Sequence, residues 1–194
     1  MNQTSTLQTM ERSRYSEKAA RKCSMTIASA FKSFLIPLAL LLCLAATAFA
    51  RSEIEGKVVN VADGDTITVL MPDFEQVKVR LYGIDCPEKK QAFGQKATQF
   101  TAQRVAGENV RVQIMDTDRY GRSVGVVYTE NGTNLNRELL TNGLAWVYDY
   151  FCKEPFCDNW KQEETRARRA HTGLWVDKNP IEPWEWRKMR KRRN

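Results

Sequence analysis

Residues 80–88 read RLYGIDCPE, and the turn ADGDT precedes them at residues 62–66. Both stretches set charged side chains at turns beside short runs rich in β-branched residues, a pattern typical of strands. Hard divalent cations prefer oxygen ligands, which Asp65 and Asp85 can supply. A phosphodiester favours a planar donor that is always charged, and Arg80 can provide one. The two stretches therefore predict strands whose turns gather carboxylates and an arginine, a pattern suited to holding a cation against a phosphate.

Two further side chains extend this pattern. A water nucleophile needs a nearby carboxylate that orients or deprotonates it, and Glu88 is free for that role. Downstream, residues 117–122 read TDRYGR, and Arg122 lies just past a glycine turn that opens an apolar run. Each stretch alone would be a weak signal, but three of them in order on one chain are specific.

The three stretches resemble the motifs of the thermonuclease (staphylococcal-nuclease-like) family, and the likeness extends from about residue 56 to about residue 176. The resemblance implies a metal-dependent endonuclease that hydrolyses DNA and RNA with little sequence specificity and leaves 3′-phosphates. It gives Glu88 the role of positioning or deprotonating the attacking water, and it places Arg80 and Arg122 on the scissile phosphate. Judged without the resemblance, these three residues could be a solvated loop charge, a structural ion-pair partner and an exposed hairpin residue.

The same resemblance implies a bound Ca²⁺. Asp65 and Asp85 match the two metal carboxylates of the family, and the family's next residue offers its backbone carbonyl to the metal. That residue is Cys86 here, where the founding enzyme has a threonine, and its thiol could simply be buried and inert. Asp63 matches a nearby acidic position and is interpreted as supporting. Turn and capping chemistry is the alternative reading of all three aspartates.

Further residues are implied to contact the substrate. Arg119 and Tyr120 match positions near the nucleotide in the family. Tyr148, Tyr150 and Phe151 fall where the family places aromatic residues against the base, although core or loop packing is an equal alternative. No stable protein partner is implied, and we expect a monomer. Two other functions stay open: a noncatalytic OB-fold module that binds nucleic acid, and a membrane-tethered, plasmid-associated nuclease.

Apolar and β-branched patterns predict five short strands with inserted helices. This order suits a small Greek-key barrel. Together with the resemblance it gives the expected fold, an α+β protein with a five-stranded OB-fold barrel and two to three packed helices. The predicted strands are residues 56–61, 66–71, 76–84, 109–115 and 123–128, and the predicted helices are residues 93–105, 135–141 and 158–171.

Charge is unevenly spread along the 194 residues, whose formal net charge is +7. Six Lys or Arg lie within residues 187–193, and residues 51–186 carry a net charge of −3. A mildly acidic body with a basic end excludes a uniformly basic nucleic-acid coat. We expect residues 179–194 to be an extended, Trp-containing basic tail that adds nonspecific affinity for nucleic acid and no catalytic group. A tail that serves only solubility is the alternative.

The N-terminus predicts export. An apolar run over residues 34–44 is short for a membrane span and ends at the small-x-small site Ala48-Phe49-Ala50. We expect a signal peptide with an N-terminal extension at residues 1–50, cleaved after Ala50, and a secreted or periplasmic protein. An uncleaved anchor and a true start at Met25 are the alternatives.

The mature chain would then begin with a nuclease domain at residues 51–178. Within it, residues 152–157 read CKEPFC, a short and turn-rich stretch. Export would favour closure of Cys152 and Cys157 as a disulfide, and two unlinked loop thiols are the alternative.

Overall fold

This computed structural model describes residues 52–193. These residues form seven strands, four α-helices and one 3₁₀ turn, joined by loops. The predictions for residues 1–50, a signal peptide and a start at Met25, lie outside the described residues. No helix within residues 52–193 is long and apolar enough to cross a membrane. The strands are β1 (Glu53–Asp63), β2 (Thr66–Leu70), β3 (Gln76–Leu81), β4 (Ile84–Asp85), β5 (Asn109–Thr117), β6 (Ser123–Thr129) and β7 (Trp146–Val147). The helices are α1 (Gly94–Val105), α2 (Leu135–Thr141), α3 (Cys157–Arg169) and α4 (Pro183–Arg193), and the 3₁₀ turn spans Gly173–Val176.

Five of the strands close into a barrel in the order β1-β2-β3-β6-β5. Neighbouring strands are antiparallel except β3 and β6, which run parallel. Burial of their apolar side chains is the main force that holds the barrel together. The expected α+β class with a five-stranded OB-fold barrel is confirmed. The buried valine and isoleucine side chains of the barrel are Val58, Ile67, Val69, Val79, Val110, Val112, Val126 and Val127.

The third predicted strand, residues 76–84, is divided in two. Strand β3 stops at Leu81 because Gly83 adopts a left-handed backbone conformation with φ of 68°. A side chain at this glycine would also meet the Cys152 Sγ atom at 2.6 Å. The chain then resumes as β4, which pairs with β7 through Ile84 opposite Val147. Sequence patterns do not reveal β7, because two residues are too few to show a period.

Helices α1, α2 and α3 occur within two residues of the predicted ranges at each end. Helix α1 starts after Phe93, which has a positive φ of 64°. A side chain at Gly94 would lie only 1.9 Å from the Glu88 carbonyl oxygen. Glycine at this position therefore lets the helix start pack directly against the loop that carries Glu88.

The C-terminal segment is helical from Pro183, whereas the sequence suggested an extended tail. Proline is compatible with the first helical position, where its missing N–H costs nothing. The Trp184 ring stacks on the Tyr148 ring, with centroids 4.7 Å apart and an interplanar angle of 15°. The Trp184 ring also forms a T-shaped contact with the Trp146 ring, with centroids 6.1 Å apart. Helix α4 is therefore packed on the domain through its first turn.

Asn136 of α2 fastens two parts of the barrel. Its side chain is fully buried. The Oδ1 atom accepts a hydrogen bond from the Val127 backbone N–H at 3.0 Å, and the Nδ2 atom donates to the Tyr82 carbonyl at 3.0 Å. One amide thus joins β6 to the turn that follows β3.

We predict that Asn136→Ala lowers the free energy of unfolding by about 1–3 kcal/mol, because it leaves a buried N–H and a buried carbonyl without that partner. Chemical denaturation measures the change. Asn159→Ala, at an exposed position of α3, is the matched control and should change stability by less than about 0.5 kcal/mol. Equal effects of the two substitutions would contradict the role of Asn136.

Candidate active site

An arginine that bridges two buried carboxylates lies at the end of β3. The Arg80 Nη1 atom contacts Asp65 Oδ1, and Arg80 Nη2 contacts Asp85 Oδ1 at 2.5 Å. The Asp85 side chain is 0% exposed and the Asp65 side chain 2% exposed, whereas the Arg80 side chain is 19% exposed. Buried carboxylates are very costly unless charges and hydrogen bonds compensate them. Arg80 therefore makes it possible for the fold to keep two carboxylates side by side.

The turn before β2 fixes Asp65. Its Oδ2 atom accepts a hydrogen bond from the Cys86 backbone N–H at 2.6 Å, and its own N–H donates to Asp63 Oδ1 at 3.2 Å. Thr101 of α1 donates its hydroxyl to the Gly64 carbonyl at 2.6 Å. Helix α1 thus fixes the backbone of the turn through Thr101, while the Cys86 N–H fixes the Asp65 carboxylate.

Strand pairing fixes Asp85. It lies opposite Trp146 in the β4–β7 ladder, and the Tyr148 N–H donates to the Gly83 carbonyl at 2.9 Å. Strand β7 is held in turn by α3, where the buried Glu164 carboxylate accepts a hydrogen bond from the Val147 N–H at 3.1 Å. The position of Asp85 is therefore fixed by the β4–β7 ladder, which Glu164 of α3 anchors.

The loop at Glu88 is set by Gln91. The Gln91 N–H donates to the Glu88 carbonyl at 2.7 Å, and the Glu88 N–H donates to Gln91 Oε1 at 3.1 Å. The remaining amide group, Nε2, donates to the Ile181 carbonyl at 2.6 Å. Gln91 thus ties the backbone of Glu88 to the C-terminal segment, while the Glu88 side chain stays 35% exposed.

Arg187 of α4 joins the same cluster. Its Nη2 atom contacts Asp85 Oδ2 at 2.7 Å, and its Nη1 atom contacts Asp85 Oδ1 at 3.2 Å and Glu88 Oε1 at 2.8 Å. Burial lowers the pKa of Arg187, but its hydrogen bonds and charge interactions with Asp85 and Glu88 outweigh burial and raise the pKa above its ordinary value. The C-terminal segment, expected to hold no group of the site, therefore contributes a permanent positive charge.

The loop between β5 and β6 carries Arg122. Its Nε atom contacts Asp118 Oδ2 at 2.7 Å, and its N–H donates to Asp118 Oδ1 at 3.0 Å. Arg119 Nη2 donates to the Tyr120 hydroxyl at 2.8 Å, and the Tyr120 side chain lies beneath both guanidinium groups. Burial alone would raise the pKa of Asp118, but hydrogen bonds from Arg122 and Tyr120 outweigh it and lower the pKa below its ordinary value.

The Cys86 thiol is buried and not in a disulfide. Burial raises the pKa of Cys86 well above its ordinary value, with Arg80 opposing and nearby carboxylates adding to the shift. The thiol is therefore protonated at neutral pH and is a poor metal ligand. Any contribution of this residue to a cation would come through its backbone carbonyl, as the family resemblance implies.

The donors at this site are compatible with a hard cation. Asp65 and Asp85 present carboxylate oxygens, and no histidine takes part in their described contacts. Within residues 52–193 no three His, Cys, Asp or Glu side chains form a group that could hold a metal by themselves. Calcium accepts backbone carbonyl and water oxygens beside carboxylates. The residues therefore fit a cation that completes its shell with such oxygens.

Most of the predicted site residues meet in one place. Arg80, Asp65, Asp85 and Cys86 are linked by direct contacts, and Arg187 links Glu88 to them. The other three, Arg122, Arg119 and Tyr120, lie together in the loop that leads into β6, the neighbour of β3. Cys152 and Cys157 form a disulfide across the loop that leads into α3, with Cα atoms 5.8 Å apart.

Two charged residues of the site are not predicted from the sequence. Asp118 could have been found, because an aspartate just before a glycine turn commonly bonds the turn's own N–H groups. Arg187 could not, since it lies in a run of basic residues and no local pattern separates it from its neighbours.

Known proteins share this sequence pattern. The family model described as staphylococcal nuclease homologue matches residues 78–177. A protein of Escherichia coli O157:H7 named as an uncharacterized endonuclease is 43% identical over 136 residues, which are 70% of this chain and 86% of the relative. A micrococcal nuclease of Shigella flexneri is 40% identical over 150 residues, which are 73% of this chain and 85% of the relative.

We predict that Asp118→Asn destabilises the protein at neutral pH and has little effect in strong acid. A carboxylate whose pKa is lowered by folding contributes stability above its ordinary pKa of 3.8, and this contribution is lost as the pH falls through the folded value. Urea denaturation of both proteins between pH 7 and pH 2 measures the difference. In an Arg122→Gln background the difference at neutral pH should shrink, and a pH-independent difference would contradict the pairing.

Proposed function

This chain belongs to the staphylococcal nuclease family, and we propose that it is an exported, calcium-dependent phosphodiesterase acting on DNA and RNA. The family and its nuclease members support the broader statement that the protein is a nuclease, an enzyme that hydrolyses nucleic acids. One observation carries the proposal. Arg80 bridges the buried carboxylates of Asp65 and Asp85, and Arg187 links the partly exposed Glu88 side chain to Asp85.

The cation would be held by Asp65, Asp85 and the backbone carbonyl of Cys86. When bound, it supplies a Lewis acid for a nonbridging phosphate oxygen. The protein's part is to keep the two carboxylates close together and shielded. Their burial and their anchoring hydrogen bonds achieve this, because strand pairing and the turn leave the carboxylates little freedom.

The arginines and the glutamate carry the remaining chemistry. Glu88 would accept a proton from the water that adds to phosphorus, and its 35% exposed side chain leaves room for that water. The bond from phosphorus to the 5′ oxygen then breaks, the leaving oxygen takes up a proton, and a 3′-phosphate remains. Arg80 and Arg122 would stabilise the charge that develops on the phosphoryl oxygens.

The proposed substrate contacts do not read base edges. Arg119 and the 69% exposed Tyr120 lie at a hairpin tip that carries Arg122. Tyr150 and Phe151 are exposed aromatics in a second loop, 72% and 54% exposed. Flat aromatic surfaces stack on any base, and arginines bind phosphates of either nucleic acid. We therefore propose both DNA and RNA as substrates, with little sequence preference and no stable protein partner.

Export is proposed from two features. The first is the apolar run that ends in a small-x-small site before Arg51, outside the described residues. The second is the disulfide between Cys152 and Cys157, because disulfides persist chiefly in oxidising compartments. Both agree with a secreted or periplasmic protein.

We predict that plasmid nicking stops in chelator and returns with calcium. Magnesium should restore it poorly, because Mg²⁺ requires a tighter octahedral shell than two carboxylates and a carbonyl provide. Parallel assays with calcium, magnesium and chelator measure this. Full activity in chelator would rule out the cation, and binding without any nicking would favour the noncatalytic module.

We also predict that Glu88→Gln and Arg122→Ala each reduce turnover by roughly 10²-fold or more while the protein stays folded. Single-turnover cleavage of a labelled duplex, with circular dichroism as the folding check, measures both. Glu75→Gln and Arg169→Ala remove the same charges from exposed positions and serve as matched controls. If either site variant keeps the turnover of its control, its assigned role is wrong.

A further inference from the structure

Arg187 occupies the carboxylate that the proposed cation needs. Its guanidinium covers both oxygens of Asp85, at 2.7 and 3.2 Å, and reaches Glu88 at 2.8 Å. The Asp85 side chain is fully buried, whereas the Arg187 side chain is 42% exposed. The guanidinium side of this pair therefore reaches solvent, whereas the carboxylate side does not.

The fold directs this side chain to the site. Trp184 anchors the first turn of α4 by stacking on Tyr148. Residues three apart on a helix lie on the same face, so Arg187 is on the face of α4 that Trp184 packs against the domain. Gln91 holds the chain just before α4 and also the loop of Glu88. Helix α4 and the catalytic loop are therefore positioned by the same amide.

A cation and the Arg187 guanidinium cannot share Asp85 without cost. Like charges within a few ångströms repel, and the repulsion is stronger beside buried groups than in water. Lys188 pairs with Glu185 on its own helix at 2.7 Å, so its ammonium is engaged elsewhere. Arg187 is therefore the residue that competes with a cation for Asp85, because its guanidinium can bind both oxygens of a carboxylate at once.

We propose that Arg187 is a displaceable internal cation, which pairs with Asp85 until a divalent ion takes its place and so sets the ion concentration at which the site fills. This inference rests on the proposed function. Pairing with Arg187 reduces the fraction of molecules with an open Asp85, and the apparent cation affinity falls by the same fraction. After exchange, α4 keeps the released guanidinium beside Glu88 and the substrate phosphate.

The test measures calcium binding by titration calorimetry in the absence of nucleic acid. Arg187→Gln should bind calcium at least about fivefold more tightly than the wild type, at the lower end of typical coupling between two sites. Arg190→Gln removes the same charge from an exposed position of the same helix and should change affinity less than about twofold. Arg187→Lys, which loses the fork but keeps the charge, should lie between the wild type and Arg187→Gln.

Thermal denaturation gives a second readout. Without calcium, Arg187→Gln should have a lower melting temperature than the wild type, because Asp85 loses Arg187 and keeps only Arg80. Saturating calcium should then raise the melting temperature of Arg187→Gln by more than it raises that of the wild type. Should Arg187→Gln fail to fold, the affinity of Arg187→Lys decides the matter. Calcium affinity that is unchanged or weaker in the folded Arg187 variants would overturn the exchange alone. No calcium binding in any variant, the wild type included, would overturn the proposed calcium site as well.

Discussion

Two carboxylates held side by side out of water form the constraint on which the rest of the structure depends. Asp65 and Asp85 are both almost fully buried, and only charge compensation makes this tolerable. Arg80 supplies it from the end of β3, because β3 pairs with β2 and Arg80 lies opposite Thr66, the residue after Asp65. At this end, the barrel is a rigid frame that holds Arg80 close to the two carboxylates.

Secondary contacts stabilise that frame from behind. Asn136 ties β6 to the turn after β3, and Glu164 holds the strand that pairs with Asp85. Neither side chain has a role in the proposed chemistry, yet each fixes a backbone segment next to a charged residue. Such buried polar contacts restrict movement more than apolar packing does, because their geometry is directional. Precise placement of the site therefore comes from polar anchors inside an otherwise apolar core.

Local patterns are sufficient to predict much of this architecture. The five barrel strands and the helices α1, α2 and α3 follow from β-branched runs, helical spacing and glycine turns, and the carboxylates and Arg80 follow from motif order. Strand β7 and helix α4 cannot be predicted in this way, because both are stabilised by residues far away in the sequence. Strand β7 pairs with β4, where Trp146 lies opposite Asp85, and α4 is held by the stacking of Trp184 on Tyr148. Arg187 is hidden for the same reason: its role depends on where its helix docks.

The docking of α4 has a consequence for the order of events in folding. Asp85 and Arg187 are 102 residues apart in sequence, so their pairing closes a long loop. Contacts between residues far apart in sequence form more slowly than local ones, because the entropy cost of closing the loop comes first. Until α4 docks, the buried Asp85 carboxylate relies on Arg80 for charge compensation. Formation of the barrel therefore precedes full neutralisation of Asp85.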